Sequence, residues 1–414
     1  MKRIVLCTFL LYAMLCSCSQ KHDPQQEINE ATVNIDVKKL FKYHDNGVAA
    51  QRAAQADRLF NNMQQKVGLN GVVLYSEQGK VIYKKAFGWR NMVKRQDPLQ
   101  VTDTFQLASL SKMFTAEAIM LLNAEDKLNY DDEVKKHIPE FPYEGITIRH
   151  LLTHRSGLPR YESLADEKWG SWNKPIHNEE LISLIAEHKP EPYNTPNTAF
   201  NYSNINYALL ASIVERVTKQ NFEDFLAENV FKPSGMTHTH IYSLRNDTIL
   251  PTWTKGFVQG HHLNGRGPTR VQNDYLNGVI GDKMVYSTVD DLLRFGIALD
   301  HALLLPDSLQ REAYRHGTEY SRTRTDTYGF GWRMMQKYPN CVYHFGWWKG
   351  FRTFFMRDLH LNRSLIILTN ADKGTGADPL WDFLEDTTYK MPPATVNPYY
   401  LKYLDWKKED DSHI

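Results

Sequence analysis

The sequence has few cysteines and no apolar run long enough to cross a bilayer. Four cysteines occur among its 414 residues, and three of them, Cys7, Cys16 and Cys18, lie close to the start of the chain. Only Cys341 remains in the rest, so no intramolecular disulfide is expected there. The first apolar run, residues 4–15, falls short of the ~20 residues that a membrane-spanning helix needs.

The chain also lacks a charge excess and the motifs of nucleotide enzymes. It carries 49 basic and 48 acidic side chains, so no basic field predicts a nucleic-acid partner. It contains no P-loop, no Rossmann glycine pattern and no G-x-S-x-G elbow, which argues against nucleotide cofactors and the α/β-hydrolase fold. Hydrophobic residues make up 42% of the chain, enough for a large core.

The first residues have the pattern of an export signal. Lys2 and Arg3 precede the apolar run, which predicts a signal peptide over residues 1–17. The segment Leu15–Cys18 matches a bacterial lipobox, so Cys18 is predicted to carry lipid; a plain cleaved signal is the alternative. Residues 18–35 are polar and suit a tether, which places the protein in the bacterial cell envelope, periplasmic or surface-facing.

The rest of the chain has strand patterns near both ends and helical patterns between them. Residues 37–65 are predicted helical, and residues 71–75 and 81–83 form a hairpin around Gln78-Gly79. Helix is predicted over 101–138, with a start near Ser109, and helix and loop over 146–235. Strands return at 342–345, 353–356 and 364–368. This order predicts one catalytic domain, residues 36–390, with a helical subdomain at about 115–285 and a tail at 391–414.

The strongest chemical signal is the S-x-x-K motif from Ser109 to Lys112. Residues three apart share one face of a helix, so the Lys112 amine reaches the Ser109 hydroxyl. A serine hydroxyl needs a neighbouring base, and a lysine serves only where burial or nearby charge favours its neutral form. A second S-x-x-K, Ser171 to Lys174, has no helical pattern and is interpreted as coincidence.

Two further motifs follow in order. Tyr202 and Asn204 form Y-x-N, a pattern that also occurs twice elsewhere in the chain. His344 and Gly346 form the only H-x-G, on a predicted strand whose glycine would let a substrate backbone approach. Alone, Tyr202 has the alternative of a buried tyrosine packing a helix start, and His344 is better explained as a strand histidine with satisfied hydrogen bonds.

In this order the three motifs resemble the penicillin-binding protein and serine β-lactamase superfamily, most closely its class C β-lactamase-like branch of D,D-peptidases, D-aminopeptidases and esterases. Segments 146–159, 231–236, 287–292 and 366–370 match in the same order. The resemblance implies a mixed α/β (α+β) fold, with an antiparallel sheet of about five strands, flanking helices and an inserted helical subdomain. It also implies an acyl-enzyme on Ser109.

The same resemblance implies roles for the remaining site residues. Lys112 and Tyr202 would relay the proton, Asn204 would hold a substrate amide, and the backbone N–H groups of Ser109 and Trp347 would form the oxyanion hole. His344 stands where β-lactamases carry lysine, so weak β-lactam hydrolysis is expected, with Lys349 or Arg352 supplying the missing charge.

The expected substrate is a small peptide or ester, with D-amino-acid cell-wall peptides as one candidate. A small-ester hydrolase and a penicillin-binding sensor without turnover are the alternatives. No cofactor and no metal are expected, because His150 and His154 lack the H-E-x-x-H glutamate. Asp282 either lines the cleft or caps a turn, and the turn is favoured.

Overall fold

A computed structural model describes residues 47–244, 258–317, 326–373 and 378–385. The strands are Gly71–Glu77 (β1), Lys80–Phe87 (β2), Trp89–Asn91 (β3), Gln96–Pro98 (β4), Phe105–Gln106 (β5), His240–Ile241 (β6), His261–Asn264 (β7), Gly267–Arg270 (β8), Val285–Ser287 (β9), Asp326–Tyr328 (β10), Arg333–Met335 (β11), Tyr338–Trp348 (β12), Phe351–Asp358 (β13) and Arg363–Thr369 (β14). The α-helices are Gly47–Val67 (α1), Ser111–Ala124 (α2), Val134–His137 (α3), Ile148–Leu152 (α4), Tyr161–Lys168 (α5), Asn178–His188 (α6), Ile205–Thr218 (α7), Phe222–Leu226 (α8), Val289–Asp300 (α9), Asp307–Gln310 (α10) and Asp378–Glu385 (α11). Short helical turns occupy Ala108–Leu110, Ala227–Phe231, Tyr275–Gly278 and Arg311–Tyr314.

The main sheet joins distant parts of the chain. Its order is β10-β11-β12-β13-β14-β1-β2, with every neighbouring pair antiparallel. The first strand pairs with the last, so Gly71 lies opposite Thr369. This confirms the predicted mixed fold with an antiparallel sheet. In the described part of the chain the sheet has seven strands rather than about five, because β10 and β11 are three residues each and too short to show a period.

The alternation of side chains along β1 builds a core on each face of the sheet. Val72 and Leu74 belong to the larger core, shared with the helical part, while Val73 and Tyr75 belong to a smaller core beneath α1 and α11. Each fully buried side chain of this size contributes roughly 1.5–3 kcal/mol to folding. The sheet is therefore covered on both faces, as its continuous apolar strands predict.

Helix α2 lies at the centre of the helical part and is buried nearly all round, including Lys112 and Glu117. The predicted start near Ser109 is confirmed, but residues 101–107 are not helical and α2 ends at Ala124 instead of continuing to residue 138. Phe105 and Gln106 pair instead with Ser287 and Tyr286 in a small three-stranded sheet. A strand of two residues shows no period of its own, so the apolar helical pattern that follows was extended over it.

The predicted signal peptide, lipidated Cys18, tether and residues 391–414 lie outside the described residues. Among the helices described, none is both long and apolar enough to cross a membrane.

Candidate active site

Ser109 sits on a tight turn between strand β5 and helix α2. The turn spans Ala108–Leu110, and Ala108 has φ +52°, a left-handed conformation that costs roughly 1–3 kcal/mol at a non-glycine residue. Strand β12 presses against it: a Cβ on Gly346 would lie 2.3 Å from the Leu107 carbonyl oxygen. Thr353 Oγ1 also donates to that carbonyl at 2.7 Å, so the turn is held from the sheet side.

This contact changes the reason for the glycine in the H-x-G motif. The sequence predicted that Gly346 lets a substrate backbone approach the strand. Gly346 is buried, and the space beside it is filled by Leu107, Ala108 and Thr353. The strand therefore needs glycine to approach the nucleophile turn, and we correct the prediction accordingly.

Lys112 is fully buried and its amine is fixed by three oxygen atoms. Lys112 Nζ lies 3.0 Å from Ser109 Oγ, 2.8 Å from Asn204 Oδ1 and 2.8 Å from the backbone oxygen of Asp282. Two of these oxygens are carbonyl-type and can only accept, so they orient the amine. The third contact places Lys112 Nζ within proton-transfer distance of the Ser109 hydroxyl.

Asn204 joins Lys112 to an acidic side chain that sequence reasoning missed. Asn204 precedes helix α7 without a side-chain capping bond, and its Nδ2 donates instead to Glu162 Oε1 at 2.6 Å. Glu162, the second residue of α5, is 7% exposed. Because both ends of the Asn204 amide already bind protein groups, the site uses Asn204 to hold Lys112, in addition to any contact with substrate. Glu162 follows no motif and approaches only through the packing of α5 on the site.

The Tyr202 ring lies between the Lys112 amine and the Arg333 guanidinium at the pocket wall. The ring centroid lies 5.1 Å from Lys112 Nζ and 5.2 Å from the Arg333 guanidinium carbon. The negative face of an aromatic ring attracts a guanidinium cation. Tyr202 and Ser109 line the same pocket, so the structure brings together the serine, lysine and tyrosine of the predicted site.

His344 lies behind the pocket wall rather than in it. The side chain is 1% exposed and its Nε2 lies 2.9 Å from the Tyr328 hydroxyl. Burial, followed by the positive charges of Arg333 and Lys112, holds the pKa of His344 well below its usual value, so the ring is neutral at pH 7. Strand alternation instead exposes Phe345 (47%) and Trp347 (66%) toward the pocket.

His154 completes this buried layer beneath the tyrosine. The ring packs against Tyr202 with centroids 4.2 Å apart, and its Nδ1 accepts from Asn206 Nδ2 at 3.0 Å. Burial and the nearby charges of Lys112 and Arg333 hold the pKa of His154 well below its usual value. His150 instead accepts from the backbone N–H of Thr147, the N-cap residue of helix α4, so the two histidines do not face a common centre. Among the residues described, no cluster of three or more His, Cys, Asp or Glu could hold a metal ion.

The pocket above Ser109 has a volume of about 800 Å³ and mixes aromatic with charged walls. Its lining comprises Ser109, Arg160, Glu162, Tyr202, Asn204, His262, Val271, Arg333, Phe345, Trp347, Trp348, Lys349, Gly350 and Asp372. Arg352, one of two predicted replacements for the missing strand lysine, is not in the lining. The other, Lys349, lines it but forms an ion pair with Asp274. The cation that sequence reasoning missed is Arg333, on the neighbouring strand β11.

Asp282 neither lines the pocket nor simply caps a turn. Its carboxylate is 1% exposed, forms an ion pair with Lys283 at 3.3 Å and accepts from the Tyr161 hydroxyl at 3.1 Å. The backbone carbonyl of Asp282 faces Lys112. The prediction of a turn cap is therefore corrected: Asp282 lies directly beneath the site.

The second S-x-x-K differs from the first in geometry. Lys174 lies over the Trp169 ring, 5.2 Å from its centroid, and both Ser171 and Lys174 belong to a loop at the protein surface. The first motif therefore has the buried serine–lysine contact, and the second motif lies in a surface loop, as its lack of a helical pattern predicted.

A buried lysine held against a serine at the head of a helix, beneath a pocket in a sheet-and-helix fold, defines a serine hydrolase. The Beta-lactamase family matches residues 56–388. Penicillin-binding protein 4* of Bacillus subtilis is 34% identical over 329 residues, which cover 77% of this chain and 71% of that protein. The chain belongs to the beta-lactamase family.

Solved structures with the same fold carry several activities in their descriptions. A penicillin-binding protein from Bacillus halodurans has a TM-score of 0.67 at 23% identity, covering 83% of this chain and 99% of that one. The hydrolase EstCE1, described as having promiscuous acyltransferase activity, has a TM-score of 0.66 at 20% identity, covering 81% and 97%. D-amino acid amidase from Ochrobactrum anthropi has a TM-score of 0.63 at 21% identity, covering 82% and 97%.

Proposed function

We propose that this chain is an exported serine hydrolase that forms an acyl-enzyme on Ser109 and cleaves small amides or esters. The observation that carries the proposal is the 3.0 Å contact between Ser109 Oγ and the buried Lys112 amine. The other two contacts of that amine orient it beside the serine.

In the acylation step, Lys112 accepts the Ser109 proton while Oγ bonds to the substrate carbonyl carbon. The carbonyl electron pair moves to oxygen, where the backbone N–H groups of Ser109 and Trp347 stabilise it; losing one such donor typically costs about 3 kcal/mol of barrier. The bond to the leaving nitrogen or oxygen then breaks. That atom takes the proton from Lys112 through the Tyr202 hydroxyl.

Deacylation repeats these steps with water as the nucleophile. Water gives a proton to Lys112 as its oxygen bonds to the acyl carbon, and the bond to Ser109 Oγ breaks. Ser109 recovers the proton from Lys112. The enzyme returns to its starting state and releases a carboxylic acid.

The pocket favours a substrate with an apolar group and a negative charge. Phe345, Trp347 and Trp348 supply apolar wall beside Ser109. The Arg333 guanidinium lies over the rings of Tyr202 and Phe345, at 5.2 and 4.6 Å from their centroids, and so its charge is held near the nucleophile. D-amino-acid cell-wall peptides, which end in a carboxylate, meet both requirements, and the named penicillin-binding and amidase relatives support this choice.

A small-ester hydrolase is the second candidate. The exposed Trp347 and Phe345 favour it, because an aromatic mouth accepts esters of many shapes. The likeness to EstCE1 supports the same reading. A penicillin-binding sensor would acylate and stop, so steady turnover of an activated ester excludes it.

Export and the lipid anchor remain part of this proposal. They rest on Lys2, Arg3 and the segment Leu15–Cys18. Replacing Cys18→Ser should move the protein from the membrane fraction to the soluble fraction of the cell envelope. Equal membrane association of both forms would contradict the lipid anchor.

The catalytic proposal is tested by intact-protein mass after exposure to a fluorophosphonate and, separately, to a penicillin. Wild type should gain one fluorophosphonate adduct, and Ser109→Ala should gain none. Ser171→Ala, at the second S-x-x-K, is the matched control and should label like wild type. A lasting penicillin adduct would favour peptide substrates, while an adduct that persists in Ser109→Ala would overturn the proposal.

A further inference from the structure

Beneath the pocket lies a buried charge cluster that the mechanism above does not use. Asp282 and Lys283 are 1% and 2% exposed and form an ion pair at 3.3 Å. Lys283 Nζ also donates to the Tyr161 hydroxyl, which in turn donates to Asp282 Oδ2 at 3.1 Å. Burying such a pair costs several kcal/mol per ion before their attraction is counted, so its presence calls for a functional reason.

One end of helix α5 connects this cluster to both oxygens that hold Lys112. Tyr161, its first residue, binds the side chain of Asp282, whose backbone oxygen accepts from Lys112. Glu162, its second residue, binds Asn204, whose Oδ1 also accepts from Lys112. The two acceptors of the lysine amine are thus fixed by neighbouring residues.

The segment carrying Asp282 is itself held firmly. Gly281 has φ +95°, and a Cβ there would lie 2.4 Å from the Tyr207 carbonyl oxygen. Its own carbonyl accepts from Thr115 Oγ1 of helix α2 at 2.6 Å. Met284 adopts φ +79°, a conformation that non-glycine residues rarely take. The carbonyl of Asp282 is therefore presented to Lys112 at a fixed position.

The charges in this region set the proton affinity that a base at Lys112 would have. The carboxylates of Asp282 and Glu162 favour a protonated amine nearby, which cannot accept the serine proton. Lys283 lies in the same charge cluster: burial, the largest effect, lowers the pKa of Lys283, and the carboxylates of Asp282 and Glu162 oppose that lowering and favour its charged form. A positive charge on Lys283 offsets part of the negative charge of the two carboxylates. Their attraction for a proton on Lys112 is then weaker.

The other groups facing the two lysines do not add negative charge. Lys112 faces the rings of Tyr202 and Tyr207, at 5.1 and 5.7 Å. His154 and His344 are neutral, and Arg333 lies across the Tyr202 ring. Lys283 faces the Trp348 ring at 5.0 Å. Arg160, whose Nε lies 3.7 Å from Glu162 Oε2, is 65% exposed, so solvent screens its charge.

We propose that Lys283, through its ion pair with Asp282, is a positioning residue that holds the Asp282 carbonyl against the Lys112 amine and balances the buried carboxylates beside it. The inference rests on the proposed function, because it concerns the same serine and lysine. It assigns the Gly281-Asp282-Lys283 segment a role in setting the pH range over which the nucleophile reacts. Lys283 itself does not line the pocket and meets it only from behind, through the Trp348 ring.

The test is the rate of fluorophosphonate labelling between about pH 5.5 and 9.5 in wild type, Lys283→Gln and the double variant Asp282→Asn with Lys283→Gln. Glutamine keeps hydrogen-bonding capacity at position 283 and removes the charge. In Lys283→Gln the acidic limb of the profile should move to higher pH. Labelling at a given pH on that limb should be about tenfold slower, and the rate on the high-pH plateau should be unchanged. The double variant removes one charge of each sign and should return the limb toward wild type.

The single variant Asp282→Asn tests the opposite direction of the shift. Its acidic limb should move to lower pH, and this expectation can be tested even if Lys283→Gln does not fold. A limb that stays in place in these variants, or a loss of rate that is uniform across pH, would reduce the cluster to a structural role and overturn the inference. If wild type takes no adduct at any pH, the proposed function itself fails and the inference falls with it.

Discussion

Glu117 offers a test of the buried helix on which the site is built. It lies on α2, is 2% exposed, and has one weak partner, Gln310 Nε2 at 3.3 Å. Burial raises the pKa of Glu117 from 4.5 to about 7, against smaller opposing effects of Gln310 and Arg357. The folded state therefore binds this proton more tightly than the unfolded state does.

The sign of the effect follows from linkage. Between the unfolded pKa of 4.5 and the folded pKa of about 7, unfolding releases the Glu117 proton, so stability falls as pH rises through this range. The shift corresponds to a cost of roughly 3 kcal/mol above pH 7, most of which is absent at pH 5. Glu117→Gln removes the ionisable group and keeps nearly the same shape.

The measurement is the free energy of unfolding by denaturant at pH 5 and pH 8 for wild type and Glu117→Gln. The variant should gain about 2–3 kcal/mol relative to wild type on going from pH 5 to pH 8. Using the difference between the two proteins cancels the other buried groups, including His154 and His344, which destabilise the fold at acid pH. An equal difference at both pH values would refute the reasoning.

Three further outcomes are expected. Gly346→Ala should lose about 1–3 kcal/mol of stability and most fluorophosphonate labelling, because its Cβ would meet the Leu107 carbonyl at 2.3 Å, whereas Gly265→Ala, with nothing within 4 Å, should behave as wild type; equal behaviour of the two would contradict the contact. Arg333→Gln should lower kcat/KM at least about tenfold for an ester bearing a free carboxylate and little for its carboxamide twin, and equal losses would argue against a charge role. Because His344 is neutral and buried, His344→Gln should not move the acidic limb of the kcat/KM profile near pH 6.5, and a shift there would show that His344 titrates in the active enzyme.

The sheet and the serine–lysine pair could be predicted because their signals are local. The hairpin of β1 and β2 follows from two β-rich runs around Gln78-Gly79, and its strands match the prediction. Ser109 and Lys112 are three residues apart, so a helix alone brings them within 3.0 Å. The order of such segments predicted one sheet built from both ends of the chain, and the fold class followed from the family resemblance of the three motifs.

The rest of the site depends on contacts between residues far apart in the chain. Glu162 meets Asn204 across 42 positions, and Asp282 meets Lys112 across 170, so no spacing rule connects them. The sequence also did not show which side chains of β12 point toward the pocket. The H-x-G motif drew attention to His344, but strand alternation places Phe345 and Trp347 on the pocket side. Arg333 was missed because its strand is three residues long.

The most direct test of the account is to locate the acyl group of a chromogenic ester after acid quench. Wild-type protein should carry the acyl mass on the peptide containing Ser109, at an amount that falls as the ester is consumed and product continues to form. An acyl group on the peptide containing Ser171, or turnover with no acyl group on Ser109, would contradict the central claim that Ser109, held against Lys112, is the nucleophile.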